Sequence, residues 1–319
     1  MSMNLEMLFN FCLVMGVTLA ISSNNWIMIW LGLELSMMCF IPVMSKKSKL
    51  NSESCIKYFI VQSMSSTIMM MGVIMMASLN SEKILMLSML LKLGASPFHT
   101  WMISIIEGVD YKPIFILLTM MKLAPINMMS YINQNIDIFV IMSLLSGAIS
   151  GLNQNSIKKI MVYSSIFNLA LILSSISSTE IWMSFLIIYS LSMMLMNLLM
   201  MKLNLNFINQ MLINNFNKSI KLCCWMSLLS MGGFPPLMGF FGKMMVIKFL
   251  ILNNEMIITT LIILTSLIVM FFYTRMVTLS MMMFFKTPKW MLLTKFNFNS
   301  FVIMTTLILP WILFNLKSL

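Results

Sequence analysis

Eleven apolar stretches divide the chain, near residues 5–23, 25–44, 55–79, 83–106, 112–131, 137–152, 156–174, 180–201, 219–252, 255–285 and 297–316. About 20 apolar residues in helical conformation cross a hydrocarbon core of about 30 Å. Inside that core each backbone N–H and C=O must find its partner within the protein, which leaves helices and closed barrels as solutions. Barrel strands read as short alternating segments, and this chain has none. With 60% hydrophobic and only 9% charged residues, against about 25% charged in soluble domains, the pattern predicts an all-α polytopic membrane protein. It forms a single membrane domain over 1–319 with about eleven transmembrane helices. The sixth span is short, and the ninth and tenth are long enough to be tilted, broken or extended beyond the lipid.

The net charge of +11 first suggests nucleic acid. The lysines are scattered among short loops, however, without a basic face or an aromatic RNA-binding motif, so that class is excluded. Their distribution reports orientation instead. With the N-terminus inside, the inside loops hold Lys46, Lys47, Lys49, Lys112, Lys158, Lys159, Lys202, Lys218, Lys221, Lys286, Lys289 and Lys295, and the outside connections hold only Lys83 and Lys317. That asymmetry follows the positive-inside rule and places the C-terminus outside. Lys57 and Arg275 read as side chains that snorkel to the interface, as does Lys248. No removable leader is expected, because Met1 to Leu5 carry no positive charge and Glu6 follows. The 43 methionines beside few residues with GC-rich codons fit an AT-rich organelle genome that reads AUA as methionine.

Several chemistries have no residues to support them. The five cysteines form no C-x-x-C pair, and His99 is the single histidine. Metal, haem and iron–sulfur spacings are missing, as are G-x-G-x-x-G and Walker motifs. The chain is therefore expected to bind no cofactor and no metal of its own, and the cysteines to serve apolar packing.

Four charged side chains stand where charge is costly. Glu34 sits inside Trp30-Leu31-Gly32-Leu33-Glu34-Leu35 with no other charge within eleven residues. A carboxylate at bilayer depth costs roughly 2.5–3.5 kcal/mol on insertion scales, and intramembrane charges mark ion or proton paths. Lys92, Lys122 and Lys243 are the lysines that snorkelling does not explain, Lys122 being central in its span.

A weak internal repeat aligns Leu90-Leu91-Lys92-Leu93-Gly94-Ala95-Ser96-Pro97 with Leu228-Leu229-Ser230-Met231-Gly232-Gly233-Phe234-Pro235. Each copy falls in the fourth helix of a five-helix set, so the halves 1–132 and 136–290 read as an inverted repeat with broken helices, followed by a C-terminal helix at 296–316. Pro97 cannot donate to the Leu93 carbonyl, Pro235 cannot donate to that of Met231, and Pro125 frees the carbonyl of Met121. Unpaired backbone in hydrocarbon is tolerated where protein or water satisfies it, so each break is expected beside a hydrated cavity. Glu34 and Lys92 would then pair across two helices, and release of that pair would pass a proton to Lys122 and on to Lys243. Moving one charge against 100 mV takes about 2.3 kcal/mol, comparable to the few kcal/mol of a buried ion pair.

The same residues carry a family resemblance. Lys92-Leu93-Gly94-Ala95-Ser96-Pro97-Phe98-His99-Thr100-Trp101 resembles the K-L-G-x-x-P-F-H-x-W motif of the mitochondrially encoded subunit 2 family of NADH:ubiquinone oxidoreductase, respiratory complex I. Met121-Lys122-Leu123-Ala124-Pro125-Ile126, the run from Gly151 through Gln154 to Ile166, and Gly232-Gly233-Phe234-Pro235-Pro236-Leu237 with Gly239, Phe240 and Lys243 are similar to further segments of that family, as is Trp30-Leu31-Gly32-Leu33-Glu34. The resemblance covers about residues 26–245. It implies an antiporter-like membrane-arm subunit of shortened animal type, lacking three N-terminal helices of bacterial relatives. It implies proton-path roles for Glu34, Lys92, Lys122 and Lys243, with helix breaks at Pro97, Pro125, Gly232, Gly233, Pro235 and Pro236. It also implies a home in the mitochondrial inner membrane with the N-terminus in the matrix and the C-terminus in the intermembrane space. Subunits 4L and 4 would be neighbours, structural lipids would surround the chain, and NADH, FMN, iron–sulfur clusters and ubiquinone would be handled elsewhere in the complex. Where the family often has histidine after the Tyr-Ser-Ser-Ile run, this chain has Phe167 and Asn168. His99, just past the Pro97 break, reads as a structural or gating hydrogen-bonding group. The competing functions are a stand-alone cation/proton antiporter and a scaffold that only bridges neighbouring subunits.

Overall fold

The helices turn many large apolar side chains outward, the reverse of a water-soluble fold. In α2 (Trp26–Met44), Ile27, Met28, Leu31, Leu35 and Met38 are exposed, whereas Gly32, Leu33, Ser36, Met37 and Phe40 are buried. Lipid tails solvate the exposed stripe, so helices associate through close packing of small residues rather than through apolar burial. α1 (Met3–Ser22) meets α2 in this way. A Cβ on Gly32 would lie 2.7 Å from the Gly16 carbonyl oxygen and 2.7 Å from the Ala20 nitrogen.

The computed structural model describes residues 3–46, 48–79, 82–132, 134–213 and 218–282. Among these residues the regular structure is α-helical throughout, apart from one isolated bridge between Ser156 and Phe207. After α1 and α2 come α3 (Lys49–Leu79), α4 (Lys83–Leu93), α5 (Thr100–Ile106), α6 (Tyr111–Leu118), α7 (Met120–Met129) and α8 (Asp137–Leu152). The chain continues through α9 (Ile157–Ser174), α10 (Thr179–Leu203), α11 (Ile208–Ile213), α12 (Lys218–Gly232), α13 (Met238–Leu252) and α14 (Met256–Met282). Among the described residues, seven segments are long and apolar enough to cross a membrane by themselves. The shorter α8 and the two divided spans α4–α5 and α12–α13 account for the other predicted spans that the described residues cover. The predicted eleventh span, with the C-terminal helix at 296–316, lies outside the described residues, as do Lys47, Lys286, Lys289, Lys295 and Lys317.

The chain divides into two units between Ser143 and Leu144. In the first, α3 packs against α2, α4 and α5, and α7 against α1, α4 and α6. In the second, α13 packs against α9, α10, α12 and α14.

Each unit contains a span that stops and restarts. The eleven residues of α4 rise only about 16 Å, so the stop falls near the middle of a hydrocarbon core of about 30 Å. Glycine makes the stop. Gly94 adopts φ +66°, its N–H donates to Leu91 O, and the Ala95 N–H donates to Leu90 O. Gly233 does the same at φ +80°, donating to Ser230 O while the Phe234 N–H donates to Leu229 O. This is the Schellman arrangement, in which a left-handed residue turns its own amide back onto the last carbonyls. In each copy a cis proline follows three residues after the glycine, Pro97 and Pro236.

The hydrogen bonds therefore pair Gly94 with Gly233 and Pro97 with Pro236. The expected register, Gly94 with Gly232 and Pro97 with Pro235, is out by one residue. The expected cause is corrected as well: the helix ends on the left-handed glycine, before a proline is reached.

The fifth predicted span also differs from expectation. It is interrupted at Thr119 (φ −120°, ψ −74°), six residues before Pro125, and Pro125 itself sits inside α7. The Thr119 hydroxyl donates to Phe115 O at 2.7 Å, offering that carbonyl a side-chain partner.

Arg275, read from sequence as a snorkelling side chain, is tied inward. Its guanidinium donates to the carbonyls of Leu152 at 3.0 Å and Gln154 at 3.2 Å, closing the end of α8. Arg275→Ala is expected to cost about 2 kcal/mol, since hydrogen bonds from a charged donor contribute about 1.5–3 kcal/mol and the carbonyls lose their partner. Survival of the assembled complex after graded heating, read on native gels, checks this.

Candidate functional site

Polar side chains gather in the interior of each unit around a lysine that its helix cannot turn to the lipid. In the first unit, α2 brings Glu34, α3 brings Tyr58, Gln62 and Ser66, and α4 brings Lys92 in its last turn. α7 brings Lys122, which is 4% exposed. Lys92, Lys122, Gln62, Tyr58, Ser36 and Pro125 all border one small cleft of about 20 Å³, room for about one water. A polar cleft of that kind can hold ordered water between groups too far apart to touch.

Glu34 flanks this cleft. One carboxylate oxygen accepts a hydrogen bond from the Ser66 hydroxyl at 2.6 Å. The expected direct pair with Lys92 is not formed, whereas Lys46 and Asp110 do meet as an ion pair. Tyr58 is fixed between Phe40, at 5.2 Å between ring centres, and Trp101, at 6.2 Å. The Gln62 amide donates to the Lys92 backbone carbonyl at 3.5 Å, one residue before the carbonyl that precedes the break.

In the second unit the centre is Lys243 on α13, 7% exposed. Its ammonium donates to the carbonyl of Gly232 at 2.7 Å and lies 5.3 Å from the centre of the Phe167 ring. The ring face supplies favourable electrostatics to a cation. Gly232 is the last residue of α12, so its carbonyl has no i+4 amide to accept from. The lysine takes that place. A Cβ on Gly233 would lie 2.6 Å from the lysine nitrogen, so the glycine also makes room for it. Lys243, Asn168, Tyr189, Ser192 and Ser230 border a second, smaller cleft of about 10 Å³.

The structure thus joins Lys92, Lys122 and Pro125 at one cleft with Glu34 beside it, and Lys243 and Asn168 at another, with Gly232 and Gly233 against the lysine side chain. Pro97, Pro235 and Pro236 are exposed and border neither cleft. His99 is partly buried at the head of α5 and makes no side-chain cap hydrogen bond there. Sequence reading missed Ser66, Gln62, Tyr58 and Tyr189. Serine and tyrosine are unremarkable in an apolar helix until the rotation of that helix is known. Ser66, at least, stands in a run of hydroxyls, Ser63, Ser65, Ser66 and Thr67, that an apolar span does not need.

The membrane-domain model of the NADH:quinone oxidoreductase/Mrp antiporter family matches residues 23–84 and 79–269. The NADH-ubiquinone oxidoreductase chain 2 of Anopheles gambiae is 37% identical over 306 residues, covering 91% of this chain and 90% of its own length. The chain belongs to the NADH-ubiquinone oxidoreductase chain 2 family. Another chain 2 protein, from Locusta migratoria, is 36% identical over 265 residues, 78% of each chain. A chain in the structure of respiratory complex I from Thermus thermophilus has the same fold, with a TM-score of 0.81 at 18% identity over 99% of this chain and 79% of that one. The matched segments of the family model take in Glu34, both glycine stops, Lys92, Lys122 and Lys243.

Proposed function

We propose that this chain is a proton-translocating core membrane subunit of respiratory NADH:ubiquinone oxidoreductase. It would lie in the mitochondrial inner membrane with its N-terminus in the matrix and its C-terminus in the intermembrane space. Its neighbours would be subunits 4L and 4, and the halves 1–132 and 136–290 would be inverted repeats. NADH, FMN, iron–sulfur clusters and ubiquinone belong to other subunits, and this chain converts their electron transfer into proton movement.

The observation that carries the reading is the half-buried Lys92 and the buried Lys122 bordering one cleft with Tyr58 and Gln62, in a helix bundle whose outside is apolar. A lysine held away from bulk water exchanges its proton more readily than a solvated one, because desolvation disfavours the charged form. A carboxylate near an ammonium opposes that effect, and Glu34 is the carboxylate beside this cleft. Any event that changes the distance between Glu34 and Lys92, or the hold of Ser66 on the carboxylate, shifts the proton toward Lys122. Lys243 is the corresponding station of the second half. Work against the membrane potential, about 2.3 kcal/mol per charge per 100 mV, comes from the redox chemistry elsewhere in the complex.

Lys122→Met tests this. A buried lysine replaced by an apolar side chain of similar volume is often neutral for stability, so the complex is expected to assemble. Its proton-to-electron stoichiometry, measured in sealed membrane vesicles, is expected to fall. An unchanged stoichiometry would leave the chain a scaffold. The family model also describes Mrp antiporters, which keeps a stand-alone cation/proton antiporter as the second reading. Transport by the purified chain in liposomes without partner subunits would favour it.

A further inference from the structure

α1 turns one stripe of its surface away from the rest of the chain, and that stripe is not wholly apolar. Met7, Asn10, Phe11, Val14, Thr18 and Ile21 recur at spacings of three and four residues, so they share one side of the helix. All six are exposed, Met7 at 64% and Phe11 at 65%. Gly16 and Ala20, on another side, pack against Gly32 of α2. The contrast with α2 is direct. Its outward stripe, described above, is apolar throughout and is served by lipid tails.

Asn10 lies within the span Asn4–Ser22, about 9 Å from one end and about 18 Å from the other. Its amide brings two N–H donors and one carbonyl acceptor, and among the described residues it makes no hydrogen bond. Outward hydroxyls are satisfied within their own helices. Thr18 donates to Met15 O at 3.0 Å, Thr67 to Met64 O at 2.8 Å and Ser190 to Ile187 O at 2.9 Å. Hydrocarbon tails offer an amide nothing to bond with, and lipid headgroups stand at the ends of the span, beyond its reach.

A second helix supplies what lipid does not. Asparagine hydrogen-bonds across pairs of membrane helices, and one amide in an apolar seam fixes the register and the choice of partner. Glu6, one turn before Asn10 and also exposed, adds a negative charge near the end of the span. A helix flanked by lysine or arginine on that side meets it with the opposite sign.

We propose that the outward stripe of α1, from Met7 to Ile21, is the docking seam for one transmembrane helix of another membrane subunit of the complex. That helix places an amide, hydroxyl or carboxylic side chain against Asn10 and a basic residue near Glu6. The seam rests on the chain's place in a membrane arm of several subunits and not on its part in proton transfer.

The test uses the intact complex. A photoreactive benzophenone side chain placed at Val14, one turn from Asn10, is expected to form an adduct with a single transmembrane segment of another subunit, identified by mass spectrometry. Asn10→Leu is expected to lower retention of that subunit about three- to tenfold after mild detergent extraction, read on native gels, which is the range one hydrogen bond between membrane helices sustains. Asn10→Gln keeps the amide and is expected to restore most of the retention. Adducts with lipid alone would overturn the seam, and so would adducts with this chain itself. Full retention in the Asn10→Leu complex would overturn it too, since leucine suits a lipid-facing position better than asparagine does. Should Asn10→Leu prevent assembly, the adduct decides alone, because it is formed on a chain that keeps Asn10. Lys122→Met reports on proton transfer separately, so the failure of one proposal is distinguishable from the failure of the other.

Discussion

Replacing Gly239 with alanine is expected to prevent assembly of the subunit. A Cβ at this position would lie 1.9 Å from the carbonyl oxygen of Ser230, well inside any permitted contact. The obstacle is backbone, in the last turn of α12, so no side-chain rotation relieves it. Gly239 is in the first turn of α13, and the collision can be removed only by moving α13 away from α12. Overpacking of an interior costs about 1–3 kcal/mol and more where backbone must shift, out of a net stability of only about 5–15 kcal/mol for a typical domain. Lys243 lies one turn further along α13 and would be carried away from the Gly232 carbonyl by the same displacement. Gly242→Ala is the matched comparison. Its Cβ would meet the Phe185 ring at 3.0 Å, and a ring edge can turn aside. The amount of mature complex on native gels should therefore fall steeply for Gly239→Ala and mildly for Gly242→Ala. Equal amounts would mean that the two helices do not approach as closely as described.

The second large effect is expected from Gly233→Ala, and it separates loss of function from loss of fold. Both helix stops need a residue at positive φ, +66° at Gly94 and +80° at Gly233. An alanine pays a similar backbone penalty at either site, about 1–2 kcal/mol. The surroundings differ. At Gly94 the nearest atom to a new Cβ is the terminal methyl of Met102, at 2.3 Å, the free end of a flexible chain. At Gly233 it is the Lys243 nitrogen at 2.6 Å, with Cε at 2.9 Å and Cδ at 3.0 Å behind it. Met102 borders the first cleft but bonds to neither of its lysines, and its free end can swing aside without moving them. Lys243 can move only by leaving the Gly232 carbonyl and the Phe167 ring. Both variants are expected to lose similar stability on heating. Only Gly233→Ala is expected to lose proton-to-electron stoichiometry through Lys243. Equal stoichiometry in the two variants would show that the held position of the lysine is unimportant.

Much of this was open to sequence reading because the bilayer imposes a length. A 19-residue apolar run such as Trp26–Met44 has few alternatives to a spanning helix, and Glu34 within it stands out by charge alone. The breaks were visible through scarce residues, glycine and proline, yet their register was not. In Gly232-Gly233 either glycine could take the left-handed conformation, and leucine matches nearby are too common to decide between them. The interruption at Thr119 left no mark, since threonine occurs freely in continuous helices. Partner choice was the least legible. Whether Glu34 meets Lys92 or Ser66 depends on how α2 and α3 are rotated, and a single turn of a helix moves a side chain by several ångströms. Arg275 illustrates the same limit, because its two carbonyl partners lie more than 120 residues earlier in the chain.

The glycine stops leave the lysine free to let go. At the end of α12 the carbonyls of Leu229 and Ser230 are already served by the amides of Gly233 and Phe234, so the turn keeps its shape whether or not Lys243 is present on the Gly232 carbonyl. The ammonium is a latch resting on a frame that stands unaided. Such a side chain can swing between two bonding sites during each turnover without unravelling the helix end that receives it.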